Sequence, residues 1–169
     1  MTKCIIDVET TGLNPLDSRI IVIGCKIPTQ ENEKYFQAAN EKLLLKDFWS
    51  FVKQNQIKTL IGFNIDFDWT FIKVRSLRNR IYFKWFSAFS ENKIVDLRKI
   101  LNDKYKAKGK LSDYCRLFGI PHNTDLAGVD VPQYYLEGKL DLILEHIKDD
   151  VVSTWELYKL ISEFGGLIL

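Results

Sequence analysis

The chain has 169 residues, 46% of them hydrophobic, which is enough apolar material for one compact domain with its own core. A charged fraction of 27%, spread without long single-sign runs, argues against disorder, and every apolar run stops well short of the roughly 20 residues a membrane-spanning helix needs. The net charge of +2 neither requires nor excludes nucleic acid, because a binding face depends on local rather than total charge. Residues 3–9 and 19–27 are rich in Ile and Val, and Gly12, Asn14 and Pro15 lie between them, the pattern of a β-hairpin. A third strand is expected over 33–38. Residues 41–54 carry Leu44, Leu45, Phe48, Trp49, Phe51 and Val52 in the stripe of an amphipathic helix. A buried strand over 58–63 and a helix over 67–77 follow. From Ile94 onward the pattern reads as helical: a short piece beginning near Asp96, another over 111–118 closed by Gly119-Ile120-Pro121, and a long one from 140 to about 161. Strands first and then alternating helix and strand predict an α/β fold, a mixed sheet with helices packed on it, in a single domain over 1–169.

Cys4, Cys25 and Cys115 are odd in number, far apart and set among aliphatic neighbours, so they read as small core residues and not as a disulfide or metal framework. Met1-Thr2-Lys3 leads straight into a strand-like run with no apolar leader, from which a cytoplasmic protein with no membrane partner is expected.

The chemistry is concentrated in three short segments. In Asp7-Val8-Glu9 the two-residue period of a strand places both carboxyls on one face. Such a pair repels itself unless a cation or proton stands between, and oxygen ligands of this kind suit Mg²⁺ or Mn²⁺; two solvated acids at a strand end are the alternative. In Phe63-Asn64-Ile65-Asp66-Phe67-Asp68-Trp69 a strand runs into a helix that opens with acids, where Asp66 fits the ordinary use of Asp near a helix N-terminus. In His146-Ile147-Lys148-Asp149-Asp150 the first and last residues are one turn apart, within about 40° on one helix face. Asp150 shares its side with Ile143, Ile147, Thr154 and Leu157, whereas Asp149 falls with Glu145 and Glu156 on a face expected to be solvated. By itself this spacing favours a hydrogen-bonded His-Asp pair on that helix, with a metal site as the alternative.

Taken together, Asp7-Val8-Glu9-Thr10-Thr11-Gly12-Leu13, the Asn64-to-Asp68 segment, and Asp150-Val151 with Thr154 and Leu157 resemble the three motifs of the DEDD superfamily of 3′→5′ exonucleases, which share a ribonuclease H-like fold. Leu111-Ser112-Asp113-Tyr114, Phe118-Gly119-Ile120 and Tyr135, Leu136 and Gly138 extend the resemblance to stand-alone relatives of the proofreading domain of family-B DNA polymerases. The third motif departs from both known subgroups: His146 is four residues before Asp150, the position of a tyrosine in one subgroup with the residue type of the other.

The resemblance implies a catalytic set of Asp7, Glu9, Asp68, His146 and Asp150. Two divalent cations, Mg²⁺ or Mn²⁺, are implied, bridged by Asp7, with Glu9 and Asp150 completing one site and Asp68 supporting the other. His146 would orient or deprotonate the attacking water, and the substrate would be the 3′ end of single-stranded DNA or RNA. Thr10, Thr11, Gly12 and Leu13 would meet the terminal nucleotide, with Asn64, Phe67, Trp69 and Lys73 as further substrate contacts. Lys73, Arg75, Arg78, Arg80 and Lys84, and the alternating Lys104, Lys106, Lys108 and Lys110, are basic runs that fit either a phosphate track or a solvated surface. Asp96 fits the cap of the helix that follows it. The apolar tail 167–169 fits packing on the domain or against another subunit, and the oligomeric state is not legible.

Overall fold

The computed structural model of the chain describes residues 2–83, 93–102, 109–124 and 126–166. Five strands, β1 (Thr2–Thr10), β2 (Ile20–Lys26), β3 (Lys34–Gln37), β4 (Ile57–Gly62) and β5 (Lys93–Asp96), form one sheet in the order β3-β2-β1-β4-β5. β1, β2 and β3 pair antiparallel, whereas β1 with β4 and β4 with β5 pair parallel. The helices are α1 (Glu41–Gln54), α2 (Asp66–Arg78), α3 (Leu97–Asn102), α4 (Leu111–Phe118), α5 (Val131–Leu136), entered through a 3₁₀ turn at Gly128–Asp130, and α6 (Leu140–Phe164).

The periodicities explain most of this. Along β1, Cys4, Ile6 and Val8 join the core beneath α1 and α2, while Ile5, one residue out of phase, joins the layer made by Leu111, Cys115, Leu157 and Ile161 of α4 and α6. α1 has the span its apolar stripe predicts, opened by Asn40, whose side chain accepts the Lys42 amide at 2.8 Å. α4 likewise runs over 111–118, with Asp113 accepting the Lys110 amide at 2.8 Å and Gly119 ending it in the left-handed region at φ 68°. The three cysteines are free and buried.

Two elements escape sequence reading. β5 is a strand where helix is expected from Ile94: it is four residues long, too short to show alternation, and it exists because Lys93 to Asp96 pair with Thr59 to Gly62 of β4. α5 follows a stretch without periodicity and is held by Val131, fully buried against Ile143, Ile147 and Val151 of α6.

The buried ion pair of Glu41 and Arg75 removes one member of the expected basic run from the surface. Arg75 donates to both Glu41 oxygens, at 2.7 to 3.1 Å, and to the Pro15 carbonyl at 3.2 Å, while Glu41 Oε1 accepts the Ile20 amide at 2.8 Å. The pair therefore grips the loop between β1 and β2 at two points. Of the other basic residues, Lys84, Lys104, Lys106 and Lys108 lie outside the described residues, as does the tail 167–169. Among the described residues, no helix is long and apolar enough to cross a membrane.

α6 crosses the sheet closely at Gly24 of β2. A Cβ there would stand 2.7 Å from Val151 Cγ2 and 3.1 Å from Ile147 Cγ1, and a valine in a helix has little rotamer freedom with which to retreat. Gly24→Ala should cost about 1–3 kcal/mol, seen as a lower urea midpoint at unchanged slope, and adding Val151→Ala should recover part of it.

Candidate active site

β4 ends at Gly62, level with Ile6, so the last residues of β1 continue past their parallel neighbour into a crevice at the carboxyl end of the sheet. In sheets with parallel strands, ligands collect at such places. Alternation turns Asp7 and Glu9 to the α6 side, opposite Gly24 and Val22 of β2, and the pairing register shifts directly after Glu9.

The chain leaves β4 through Phe63 and Asn64 and enters α2. Asn64 has φ 62°, a left-handed conformation that Asn tolerates better than other side chains that carry a Cβ, and its amide donates to Asp96 Oδ1 at 3.0 Å. Asp96 also accepts from the Arg98 amide at 2.9 Å, so it caps α3 as expected and fixes the β4-to-α2 turn as well. That turn delivers Asp68, 4% exposed, to the crevice. Asp66, exposed one half-turn earlier, pairs instead with Lys99.

α6 supplies the remaining groups. His146 Nε2 stands 3.3 Å from Glu9 Oε1 and 3.7 Å from Asp150 Oδ2. Asp150 Oδ1 points the other way, 3.2 Å from His122 Nε2, an approach of charge more than of an aligned hydrogen bond. His122 Nδ1 lies 3.0 Å from Asp149 Oδ2, which also accepts the Asn123 and Thr124 amides at 2.9 and 3.1 Å. Asp149 is therefore not on a solvated face. The segment after α4 folds back over α6 and covers it, and Asp149 holds His122 in place. His122 gives no sequence signal: it sits in a loop, 28 positions from Asp150, and the two meet only through the fold.

Asp7, Glu9, Asp68, His146, Asp150 and His122 share one cleft of about 770 Å³. Thr10, Gly12, Leu13, Asn64 and Phe67 line it too, and Leu13 is 73% exposed at its edge. Three expected substrate contacts do not line it. The Thr11 hydroxyl accepts the Arg19 amide at 3.0 Å and closes the hairpin. Trp69 stands about 200° around α2 from Phe67, so it turns into the core, 7% exposed and edge-on to Trp49 at 6.3 Å. Lys73, one turn later, follows it, with Nζ 5.5 Å from the Trp69 ring. Arg98 of α3, Lys110 just before α4 and Arg116 of α4 add positive charge to the lining.

The carboxyls press on one another. Burial raises Asp7 well above the usual range, and Asp68, Asp150 and Glu9 push it further; Glu9 is raised by burial and by Asp150 and Asp68. Asp68 is raised by burial, with Asp96 and Asp150 adding to it against two stabilising backbone hydrogen bonds. His122 is raised, first by its contact with Asp150, while burial lowers His146 toward its neutral form. Among the described residues, no lysine or arginine forms an ion pair with Asp7, Glu9 or Asp68. Oxygen donors from three elements, crowded and short of positive charge, fit divalent cations.

The residues 4–162 match the RNase_H_2 family of the RNase_H superfamily. An uncharacterised protein of Methanocaldococcus jannaschii is 43% identical over 98% of both chains. In the solved family B DNA polymerase of the archaeon Pyrobaculum calidifontis, a region superposes with a TM-score of 0.81 at 20% identity; it covers 95% of this chain, which spans 24% of that polymerase.

Raised carboxyls bind protons more tightly in the folded than in the unfolded chain, so their contribution to stability is complete below about pH 4 and is lost as pH rises through the folded values. Without metal, Asp68→Asn should therefore raise the melting temperature at pH 7.5, by about 2–4 °C for each kcal/mol of repulsion relieved. The two histidines shift in opposite senses, so the comparison of Asp68→Asn with the parent isolates the carboxyls. An unchanged or lower melting temperature would show that the repulsion is not there. From the mixed five-stranded sheet, the cleft at its carboxyl end and the match over nearly its whole length, the chain belongs to the RNase_H superfamily, in its RNase_H_2 family.

Proposed function

We propose that the protein is a metal-dependent 3′→5′ exonuclease, a single domain over 1–169 that shortens single-stranded DNA or RNA from the 3′ end to nucleoside 5′-monophosphates. The observation that carries this reading is the convergence of Asp7, Glu9, Asp68 and Asp150 from β1, α2 and α6 on one cleft. A module that only bound nucleic acid would gain nothing from four mutually repelling carboxyls, two of them almost wholly buried.

Asp7 is within electrostatic reach of Asp68, Asp150 and Glu9, so it would serve both of two Mg²⁺ or Mn²⁺ ions. Glu9 and Asp150 would hold one ion and Asp68 would support the other. Bound divalent cations supply an activated water and neutralise charge on the leaving oxygen. The protein's own part is placement. Leu13, held out at the cleft edge by the loop that Arg75 and Glu41 grip, offers an apolar face to a terminal base, with Phe67 beside the acids. Arg98, Lys110 and Arg116 in the lining offer charge to phosphates. His122 keeps one oxygen of Asp150 turned away, so that the other faces His146.

Family membership alone also admits an endonuclease on the same fold, and product analysis separates the two. On 5′-labelled DNA and RNA with Mg²⁺ or Mn²⁺, a ladder shortening from the 3′ end and release of nucleoside 5′-monophosphates are expected. EDTA should abolish both, and a circular single strand should survive. Asp7→Ala should lose activity by at least on the order of 10²-fold. Cutting of the circle, or full activity in Asp7→Ala, would sink the proposal.

A further inference from the structure

His146 is placed as no simple hydrogen-bond donor would be. It is 4% exposed, and its Nδ1 is enclosed without a hydrogen-bond partner among the described residues, so that Nε2 is the ring atom turned toward the acids. Its Nε2 faces two carboxylates at once, Glu9 Oε1 at 3.3 Å and Asp150 Oδ2 at 3.7 Å, one long for a hydrogen bond and the other beyond it. Glu9, His146 and Asp150 each offer one donor atom, all within 4.8 Å of one another. Donors about 2.1 Å from a shared ion stand roughly 3.0 Å apart at right angles and about 3.4 Å apart in a tetrahedron. The two spacings from His146 Nε2 lie close to those values, with a few tenths of an ångström to close.

We propose that His146 Nε2 is itself a ligand, with Glu9 and Asp150, of the divalent cation at this end of the cleft, and that the mixed nitrogen and oxygen set makes that position favour a transition-metal ion such as Mn²⁺ over Mg²⁺. At 3.3 and 3.7 Å the imidazole makes a long contact with either carboxylate, but with both it completes a set of donors around an ion. Imidazole adds affinity for first-row transition ions and almost none for Mg²⁺, which holds out for oxygen and water. The inference replaces the water-orienting role that the resemblance implies for this residue: a nitrogen bound to metal has no lone pair left to take a proton. It also explains why a histidine stands where the similar subgroup has tyrosine, since a phenol near pKa 10 is a poor ligand for such an ion at neutral pH.

The other grouping of similar composition, His122 with Asp149 and Asp150, is not the site. Both ring nitrogens of His122 already face carboxylates, and the facing Asp149 oxygen is taken by two backbone amides.

The inference rests on the cleft binding divalent cations, and the test separates the two. Pulsed electron paramagnetic resonance of Mn²⁺ added to the intact protein reads a directly bound nitrogen as a ¹⁴N modulation. The chain has two histidines. The modulation should be present in the parent and in His122→Gln, and absent in His146→Gln. Calorimetric titration should show the preference for Mn²⁺ over Mg²⁺ falling at least about tenfold in His146→Gln and in His146→Tyr. If those variants fail to fold, the parent spectrum still decides. Mn²⁺ that binds in the parent, is lost in Asp7→Asn, yet shows no nitrogen modulation would overturn the ligand role and leave the metal-dependent reading standing. No binding of either ion would overturn both.

Discussion

Four like-charged groups held against their own repulsion are the constraint on which the rest of the site depends. Asp7 and Glu9 come from the central strand, Asp68 from the start of α2 and Asp150 from the middle of α6, and burial together with neighbouring acids raises the proton affinity of Asp7, Glu9 and Asp68. Packing overcomes the repulsion because each acid sits on an element anchored elsewhere. Ile5 and Ile6 pin β1 between two core layers, Trp69, Phe71 and Ile72 pin α2, and Ile147 and Val151 seat α6 on Gly24. The same repulsion that weakens the fold would strengthen the affinity for divalent cations under the function proposed above.

Polar residues with no chemistry of their own set the positions of those that have it. Asp96 ties the end of β5 to the turn that carries Asp68, and its own charge adds to the pressure on that carboxyl. Asp149 fixes His122, which in turn orients Asp150. Glu41 and Arg75 are buried charges that would each cost several kcal/mol alone. Joined, they hold the 11–19 loop and with it the exposed Leu13 at the cleft edge.

The superposition on part of a family B DNA polymerase at 20% identity shows how little sequence this fold requires. In this chain the site rests on a pattern, an apolar alternation in β1 that leaves two positions near its end for carboxyls.

What the sequence determined by itself was whatever local periodicity controls. Strand alternation put Asp7 and Glu9 on one face, helical phase paired His146 with Asp150 and turned Asp150 inward, and the apolar stripes marked α1 and α4 to the residue. Only the tertiary structure decided what depends on partners far along the chain. β5 is a strand because β4 has an open edge, Trp69 and Lys73 leave the cleft because α2 lies with that face on the core, and Asp149 is covered because a loop returns across α6. His122 reaches Asp150 by the same return. No spacing rule reaches across 28 residues of loop and helix, because the contact is set by how the layers stack and not by the geometry of any one element.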